Sequence, residues 1–239
     1  MKLSIITVVL NAAATIERTI SSVITQEFAG ELEYIVIDGG STDGTLEILQ
    51  RYKSAFAQLI SESDHGLYDA MNKGLKLATG DLAGIINADD YYLPGAFQII
   101  TQAYSAAPQA DKTVFWGDVQ YELQGRVKGF RPHNVHIGAF APHPSMFVPM
   151  AVYRSIGGYD TRFKLLADYD FMYRVYHCHH LNVVYIPKVL AFFSEGGLAD
   201  SNVRRCLEEE YKIKVKNGGC RLIAWLLFHL KLVKNRHRL

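Results

Sequence analysis

A chain of 239 residues, 49% of them hydrophobic, with 19 Gly and 7 Pro, can bury one large core or one core plus a small appendage. Its 25 basic and 24 acidic side chains leave a formal net charge of +1, which excludes a global field that would favour nucleic acid. Cys178, Cys206 and Cys220 are odd in number and widely spaced, which speaks against a disulfide framework or zinc cluster and fits a reducing compartment.

Leu3 to Leu10 reads as a first buried strand, since Asn11 follows it and no signal-cleavage pattern is present. The pattern then predicts a helix over Thr15 to Gln26, a strand over Glu33 to Asp38, a helix over Thr45 to Tyr52 and a weaker strand over Ala57 to Ser61. Leu67, Ala70, Met71, Gly74, Leu75 and Ala78 recur at helical spacing ahead of a strand over Leu82 to Ile86. Strands alternating with helices argue for a parallel sheet with crossover helices. A helix from about Gly95 to Ser105 leads to Thr113-Val114-Phe115-Trp116, after which regularity is lost up to Pro144. Beyond it, Ser145 to Val148 reads as a short strand, Asp168 to Cys178 as a helix, and Val183 to Ile186 with Val189 to Phe193 as two further strands. No run reaches the roughly 18 apolar residues of a membrane span, so the cytoplasm is the expected location.

Two stretches carry chemistry. The apolar strand at Leu82 ends in Asn87-Ala88-Asp89-Asp90, two adjacent carboxylates that a buried strand could not keep inside unpaired. Acids so placed suit a hard divalent cation that bridges to phosphate, and they equally suit a solvated turn before Pro94-Gly95. The loop Asp38-Gly39-Gly40-Ser41-Thr42-Asp43-Gly44-Thr45 combines glycines that admit close backbone approach with polar atoms before a helix. At the carboxyl end of a parallel strand it suits a nucleotide, although Ser41 or Asp43 could simply cap the next helix. It matches neither the dinucleotide glycine pattern nor the P-loop.

Taken in order, Ser4 to Asn11, the loop Val36 to Thr45, the segment Asp64-His65-Gly66-Leu67-Tyr68-Asp69-Ala70-Met71-Asn72-Lys73-Gly74, and Asn87 to Asp90 resemble the inverting family-2 glycosyltransferases of the GT-A fold. The best match is the bacterial branch that builds O-antigen, capsule or colanic-acid-type polysaccharide. The resemblance implies an α/β fold with a mixed, mostly parallel central sheet flanked by helices. A GT-A domain would occupy residues 1–200, with a nucleotide-binding half in 1–110 and an acceptor half in 111–200, followed by a helical extension over 201–239.

It also implies roles. Thr7, Val9 and Asn11 would line the base and ribose pocket, Asp38 would accept a hydrogen bond from the base, and Ser41, Asp64, Asn72, Asn87, Ala88 and His143 would contact the donor. Asp89, with Asp90 as ligand or support, would hold Mg²⁺ or Mn²⁺ against the diphosphate. Asn87 stands where the family usually has an Asp. Asp168 falls on the catalytic-base position, with Ala167 replacing the usual acid before it and Asp170 read as structural. Gly157-Gly158-Tyr159-Asp160 is similar to a turn that shapes the acceptor groove. The partners implied are a UDP-, GDP- or dTDP-linked sugar and a glycan or lipid-linked acceptor.

The tail from Cys220 combines Trp225, Phe228 and several leucines with Lys and Arg and has no acid. It suits an interfacial helix on an anionic inner membrane leaflet, or a helix docked on the core or on a second subunit of a homodimer. Val203 to Lys216, with Glu208-Glu209-Glu210, reads as a solvated helix. Two other functions compete with sugar transfer: a sugar-nucleotide pyrophosphorylase, disfavoured because Ile6 to Asn11 lacks its Gly-rich basic signature, and a catalytically silent sugar-nucleotide-binding or scaffold protein.

Overall fold

The computed structural model describes residues 1–121, 125, 127, 128, 135, 141–197 and 199–236. Strands β1 (Lys2–Val9), β2 (Glu31–Asp38), β3 (Gln58–Ser61) and β4 (Leu82–Asn87) run parallel in the order β3-β2-β1-β4. Five more strands form the sheet's far half beyond β4. β5 (Tyr91–Tyr92) lies at the far edge, β6 (Thr113–Tyr121) is flanked by the short β7 (Val127–Lys128), β8 (Met146–Pro149) is antiparallel to both β4 and β6, and β9 (Asn182–Phe193) runs parallel to β6. The sheet is mixed, and its long pairings are the parallel ones.

Side chains alternate across β1, and each face buries its own layer. Leu3, Ile5 and Val9 pack with helices α1 (Ile16–Ile24) and α4 (Ala96–Ala106) through Ile16, Ile20, Val23, Phe97 and Ile100. Ile6 and Val8 pack on the other face with Met71 and Leu75 of α3 (Leu67–Leu77), Val152 of α5 (Met150–Ile156) and Phe171 of α6 (Ala167–His177). The short α2 (Thr45–Arg51) follows β2. In α1 the buried positions Ile16, Thr19, Ile20 and Val23 follow the helical period, and each fully buried Ile or Val stabilises by about 1.5–3 kcal/mol relative to exposure.

Several elements depart from the reading of the sequence. β5 and α5 were not predicted, and the two strands expected around Pro187 are one. β9 stays continuous because its register against β6 shifts between Gly117 and Val119, opposite Pro187 and Lys188, which accommodates the missing N–H of proline. The carboxy-terminal helices α7 (Val203–Lys216) and α8 (Arg221–Lys234) form a hairpin. α7 is not the solvated helix expected: Leu207, Glu209, Ile213 and Lys214 are buried. Among the described residues no helix is long and apolar enough to cross a membrane.

Candidate active site

Parallel registry brings the first two loops together. Val9 pairs with Asp38 and Val8 with Asn87, so β1, β2 and β4 end at one level. The loops after β1 and β2 are then stitched to each other. Ser41 Oγ accepts the Asn11 N–H at 2.8 Å, Asn11 Oδ1 accepts the Thr42 N–H at 2.8 Å, and Asp43 accepts N–H groups from Ala13 and Thr45. Asp43 is thus a loop support, and Asn11 sits exposed at the rim with φ at 50°.

The structure places several of the expected donor contacts inside the fold. Asp38 is fully buried, and its oxygens accept the Ser41 N–H, the Ser41 hydroxyl and the Ser61 hydroxyl. Ser41 is spent on Asp38 and Asn11. Thr7 lies on the Leu3 and Ile5 face of β1 with its hydroxyl 3.0 Å from that of Tyr34, so it belongs to the core, as does Val9. Ala88 is buried in the same layer, and its carbonyl accepts the Thr19 hydroxyl. Asn72 makes a reciprocal pair with the backbone of Tyr159, donating to its carbonyl at 2.8 Å and accepting its N–H at 2.9 Å. A Cβ at Gly158 would stand 2.5 Å from Asn72 Oδ1, so this pairing requires glycine there.

Asp64 remains at the loop edge. Its Oδ1 accepts the Gly66 N–H, and its Oδ2 fills the space a side chain at Gly39 would need, 2.4 Å from the Cβ position. The absence of a side chain at Gly39 is what admits a carboxylate from the α3 entry.

The turn after β4 is fastened almost completely. Thr19 donates to the carbonyls of Ala88 and Asp90, and Arg18 and Ser194 both donate to the carbonyl of Asp89. The Arg18 guanidinium also lies 4.5 Å over the Tyr91 ring. Asp90 turns inward, with the Ser194 N–H at 2.9 Å and the Asn87 amide at 3.4 Å, and burial, helped by the neighbouring Asp89 charge, pushes its carboxyl well above the usual range. It supports the turn and is not placed as a ligand. Two oxygen sites are left: the half-buried Asp89 carboxylate and Asn87 Oδ1, neither with a partner among the described residues. Those hard oxygen donors fit a divalent cation that takes its remaining ligands from phosphate and water. The described residues contain no group of three or more His, Cys, Asp or Glu side chains able to hold a metal alone.

β8 runs antiparallel to β4, with Gly84 opposite Phe147, so the single turn His143–Ser145 ahead of it lies at the same carboxyl edge. His143 is buried, neither ring nitrogen finds a partner among the described residues, and burial lowers its pKa against the opposing pull of Asp168. His133 and His136, to which no role was given, lie outside the described residues.

Asp168 sits half-buried on the first turn of α6. Its Oδ1 accepts the Tyr68 hydroxyl at 2.8 Å and the Tyr169 N–H at 2.9 Å, and its Oδ2 takes no hydrogen bond from a described residue. Lys164, just ahead, reaches the carbonyl of His65 at 3.0 Å, which joins this turn to the Asp64 loop. Asp170 is structural, as expected, held by Arg174, Lys216 and Asn217. Tyr68, Arg18 and Ser194 were missed by sequence reasoning, and only the aromatic residue beside Asp69 offered any signal. A separate cavity of about 720 Å³ lies between α7 and residues Arg162 and Phe163, away from the strand ends.

Comparison with known proteins follows the same lines. The family described as glycosyl transferase family 2 matches residues 4–181. A glycosyltransferase of Mycobacterium tuberculosis is 34% identical over 178 residues, covering 72% of this chain and 67% of its own length. A PGL/p-HBAD biosynthesis glycosyltransferase of Mycobacterium bovis is 30% identical over 205 residues, covering 84% of this chain and 80% of its own. Among solved structures, S. aureus TarS 1-349 in complex with UDP superposes with a TM-score of 0.69 at 18% identity, covering 99% of this chain and 72% of that one. The mannosyltransferase PcManGT of Pyrobaculum calidifontis, in complex with GDP-Man and Mn²⁺, gives 0.70 at 18% identity, covering 96% and 68%. The chain belongs to glycosyl transferase family 2, and it is a glycosyltransferase with the GT-A fold.

Proposed function

We propose that this glycosyltransferase moves a sugar from a nucleoside-diphosphate donor to a hydroxyl of a lipid-linked cell-surface polysaccharide precursor, with inversion at the anomeric carbon. The observation that carries this reading is Asp168. One of its oxygens is pinned by Tyr68 and Tyr169 while the other takes no hydrogen bond from a described residue, on the turn tied to the Asp64 loop and near enough to His143 for its charge to act there. A pinned carboxylate with one open oxygen is what a general base requires.

In the reaction, the acceptor hydroxyl gives its proton to Asp168 Oδ2 as its oxygen bonds to the anomeric carbon. The bond from that carbon to the diphosphate oxygen breaks in the same displacement, and the nucleoside diphosphate leaves with the electron pair. Asp64 and Asn11 border the nucleoside side, and residues 1–110 supply the nucleotide half. Neutral His143 faces the sugar from residues 111–200. Asp89, with Asn87 beside it and Asp90 behind, would hold Mg²⁺ or Mn²⁺, which when bound neutralises charge on the diphosphate. The neighbours solved with UDP and with GDP-Man and Mn²⁺ support such a donor.

The extension over 201–239 sets the location in this reading. Leu222, Ile223, Trp225, Leu226, Leu230 and Val233 of α8 are exposed, with Arg221, Lys234 and Arg236 around them. An apolar face rimmed by cations suits the anionic cytoplasmic leaflet, where a lipid-linked acceptor would be met.

The test is a panel of UDP-, GDP- and dTDP-sugars with Mn²⁺ or Mg²⁺, read by thermal stabilisation and by release of the nucleoside diphosphate. One nucleotide class should raise the melting temperature in a metal-dependent way. Absence of any shift across UDP, GDP and dTDP with Mn²⁺ present would remove the reading.

A further inference from the structure

The backbone that leads into the turn carrying Asp168 is held from another helix. α6 begins after Leu166, which offers no side-chain cap, and the N–H groups of the three residues ahead of the helix need partners. Glu209, on α7, supplies them. Its Oε1 accepts the Lys164 N–H at 3.0 Å, and its Oε2 accepts those of Leu165 and Leu166 at 2.9 and 3.0 Å.

Glu209 is 5% exposed, whereas its neighbours Glu208 and Glu210 point to Arg204 and to Lys214 and Lys231. Burying a carboxylate is unfavourable unless strong donors meet it, and three backbone N–H groups with Arg205 at 3.6 Å do so. The same turn is gripped from its other side. The Tyr68 hydroxyl lies 3.0 Å from the Leu165 carbonyl and 2.8 Å from Asp168 Oδ1. Leu165 is therefore held by its N–H through Glu209 and by its carbonyl through Tyr68, three residues before Asp168.

We propose that Glu209 is a positioning residue for the reaction. It fixes residues 164–166 so that Asp168 presents its free oxygen to the acceptor hydroxyl, which makes α7 part of the working enzyme rather than an appendage. This rests on the reading of Asp168 as the base. A misplacement of about 1 Å at a reacting group can reduce rate on the order of 10²-fold, so a clamp on this turn acts on turnover more than on donor binding.

The experiment compares wild type, Glu209→Gln, Asp168→Asn and the double variant, each as the full chain. Glutamine keeps the volume but has one acceptor oxygen, so it cannot meet three N–H groups. Amide exchange across 164–168 should quicken in Glu209→Gln, with peptides of α3 and β1 unchanged. On whichever UDP-, GDP- or dTDP-sugar the wild type turns over, kcat should fall roughly 10–100-fold with the donor KM within about twofold. The double variant should be no slower than Asp168→Asn alone, because a residue acting through Asp168 has nothing left to position. Unchanged exchange at 164–168, unchanged kcat, or losses that multiply in the double variant would each overturn the proposal. Glu209→Asp, which withdraws the charge by one methylene, carries the same comparison if Glu209→Gln does not fold. Inactivity of wild type on every donor would fall on the transferase reading instead, and exchange at 164–168 then decides the clamp alone.

Discussion

The Tyr68 hydroxyl stands 2.8 Å from Asp168 Oδ1, and this contact joins the first turn of α3 to the first turn of α6 across 100 residues of chain. Burial, together with the charge of Asp168, pushes the Tyr68 hydroxyl far above its ordinary range. It therefore stays protonated and donates at any working pH. The carboxylate is left with one oxygen fixed and one open.

Replacing Tyr68 with Phe keeps the ring and removes the hydroxyl that reaches both Asp168 Oδ1 and the Leu165 carbonyl. A hydrogen bond to a charged group contributes about 1.5–3 kcal/mol, and Tyr68→Phe should lower unfolding stability by about that much in urea titration. Turnover should fall roughly tenfold as Asp168 loses its fixed rotamer. Unaltered kcat would show that the carboxylate is held without Tyr68.

For Asp168 itself, Asn keeps the shape and the Tyr169 contact but cannot take the acceptor proton. The rate should drop about 10²–10⁴-fold, with nucleoside-diphosphate binding unchanged by calorimetry. A parallel loss of nucleotide affinity would place Asp168 on the donor side.

How much of this the sequence disclosed depends on the range over which each role is defined. The parallel half was legible because β1, β2 and β4 are short apolar runs ended by Asn11, by the Asp38-Gly39-Gly40 loop and by Asn87 to Asp90. β5 escaped because two residues, Tyr91 and Tyr92, have no periodicity, and α5 because it starts directly after Pro149 at the end of an apolar strand. Asp89 and Asp168 were visible as acids at the ends or starts of elements. Glu209 was not, since three successive glutamates look alike until one of them is buried against amides 43 to 45 positions away. Thr7 was misread although its position carried the answer: it shares the face of Leu3, Ile5 and Val9, and strand alternation sends it into the core.

Asp89 presents the opposite case, a polar group with no partner among the described residues. Asp89→Asn should therefore leave the unfolding free energy unchanged to within about ±0.5 kcal/mol. The Mn²⁺-dependent part of nucleoside-diphosphate stabilisation should vanish. Retention of metal-dependent binding would move the cation elsewhere.

Glu33, away from the carboxyl ends of the strands, should contribute to acid sensitivity. Burial raises its pKa, but hydrogen bonds from Ser4, from the Thr79 hydroxyl and N–H, and from Lys2 outweigh burial and hold it at about 2 against an ordinary 4.5. A depressed folded-state pKa adds stability that is fully present above about pH 4.5 and is lost as pH falls toward about 2. Urea midpoints should decline through that window in wild type and decline less in Glu33→Gln. Parallel curves would assign the acid limb to other carboxylates.

The face of α8 admits a direct comparison of lipid with protein. Leu222, Leu226, Leu230 and Val233 recur at i, i+4, i+8 and i+11, so they form one stripe, exposed by 65, 47, 66 and 70%. The hairpin behind it is anchored: Glu210 of α7 binds Lys231 at 2.6 Å, and Tyr211 lies against Phe228. A stripe on a fixed helix, flanked by cations, should bind vesicles containing phosphatidylglycerol and ignore pure phosphatidylcholine, with binding weakened by salt. Leu226→Glu with Leu230→Glu should abolish sedimentation with the anionic vesicles while leaving nucleotide binding intact, because neither residue is buried. If the same pair of substitutions instead converts a dimer to a monomer in ultracentrifugation and vesicle binding was never present, the stripe is the seam between two copies of the chain.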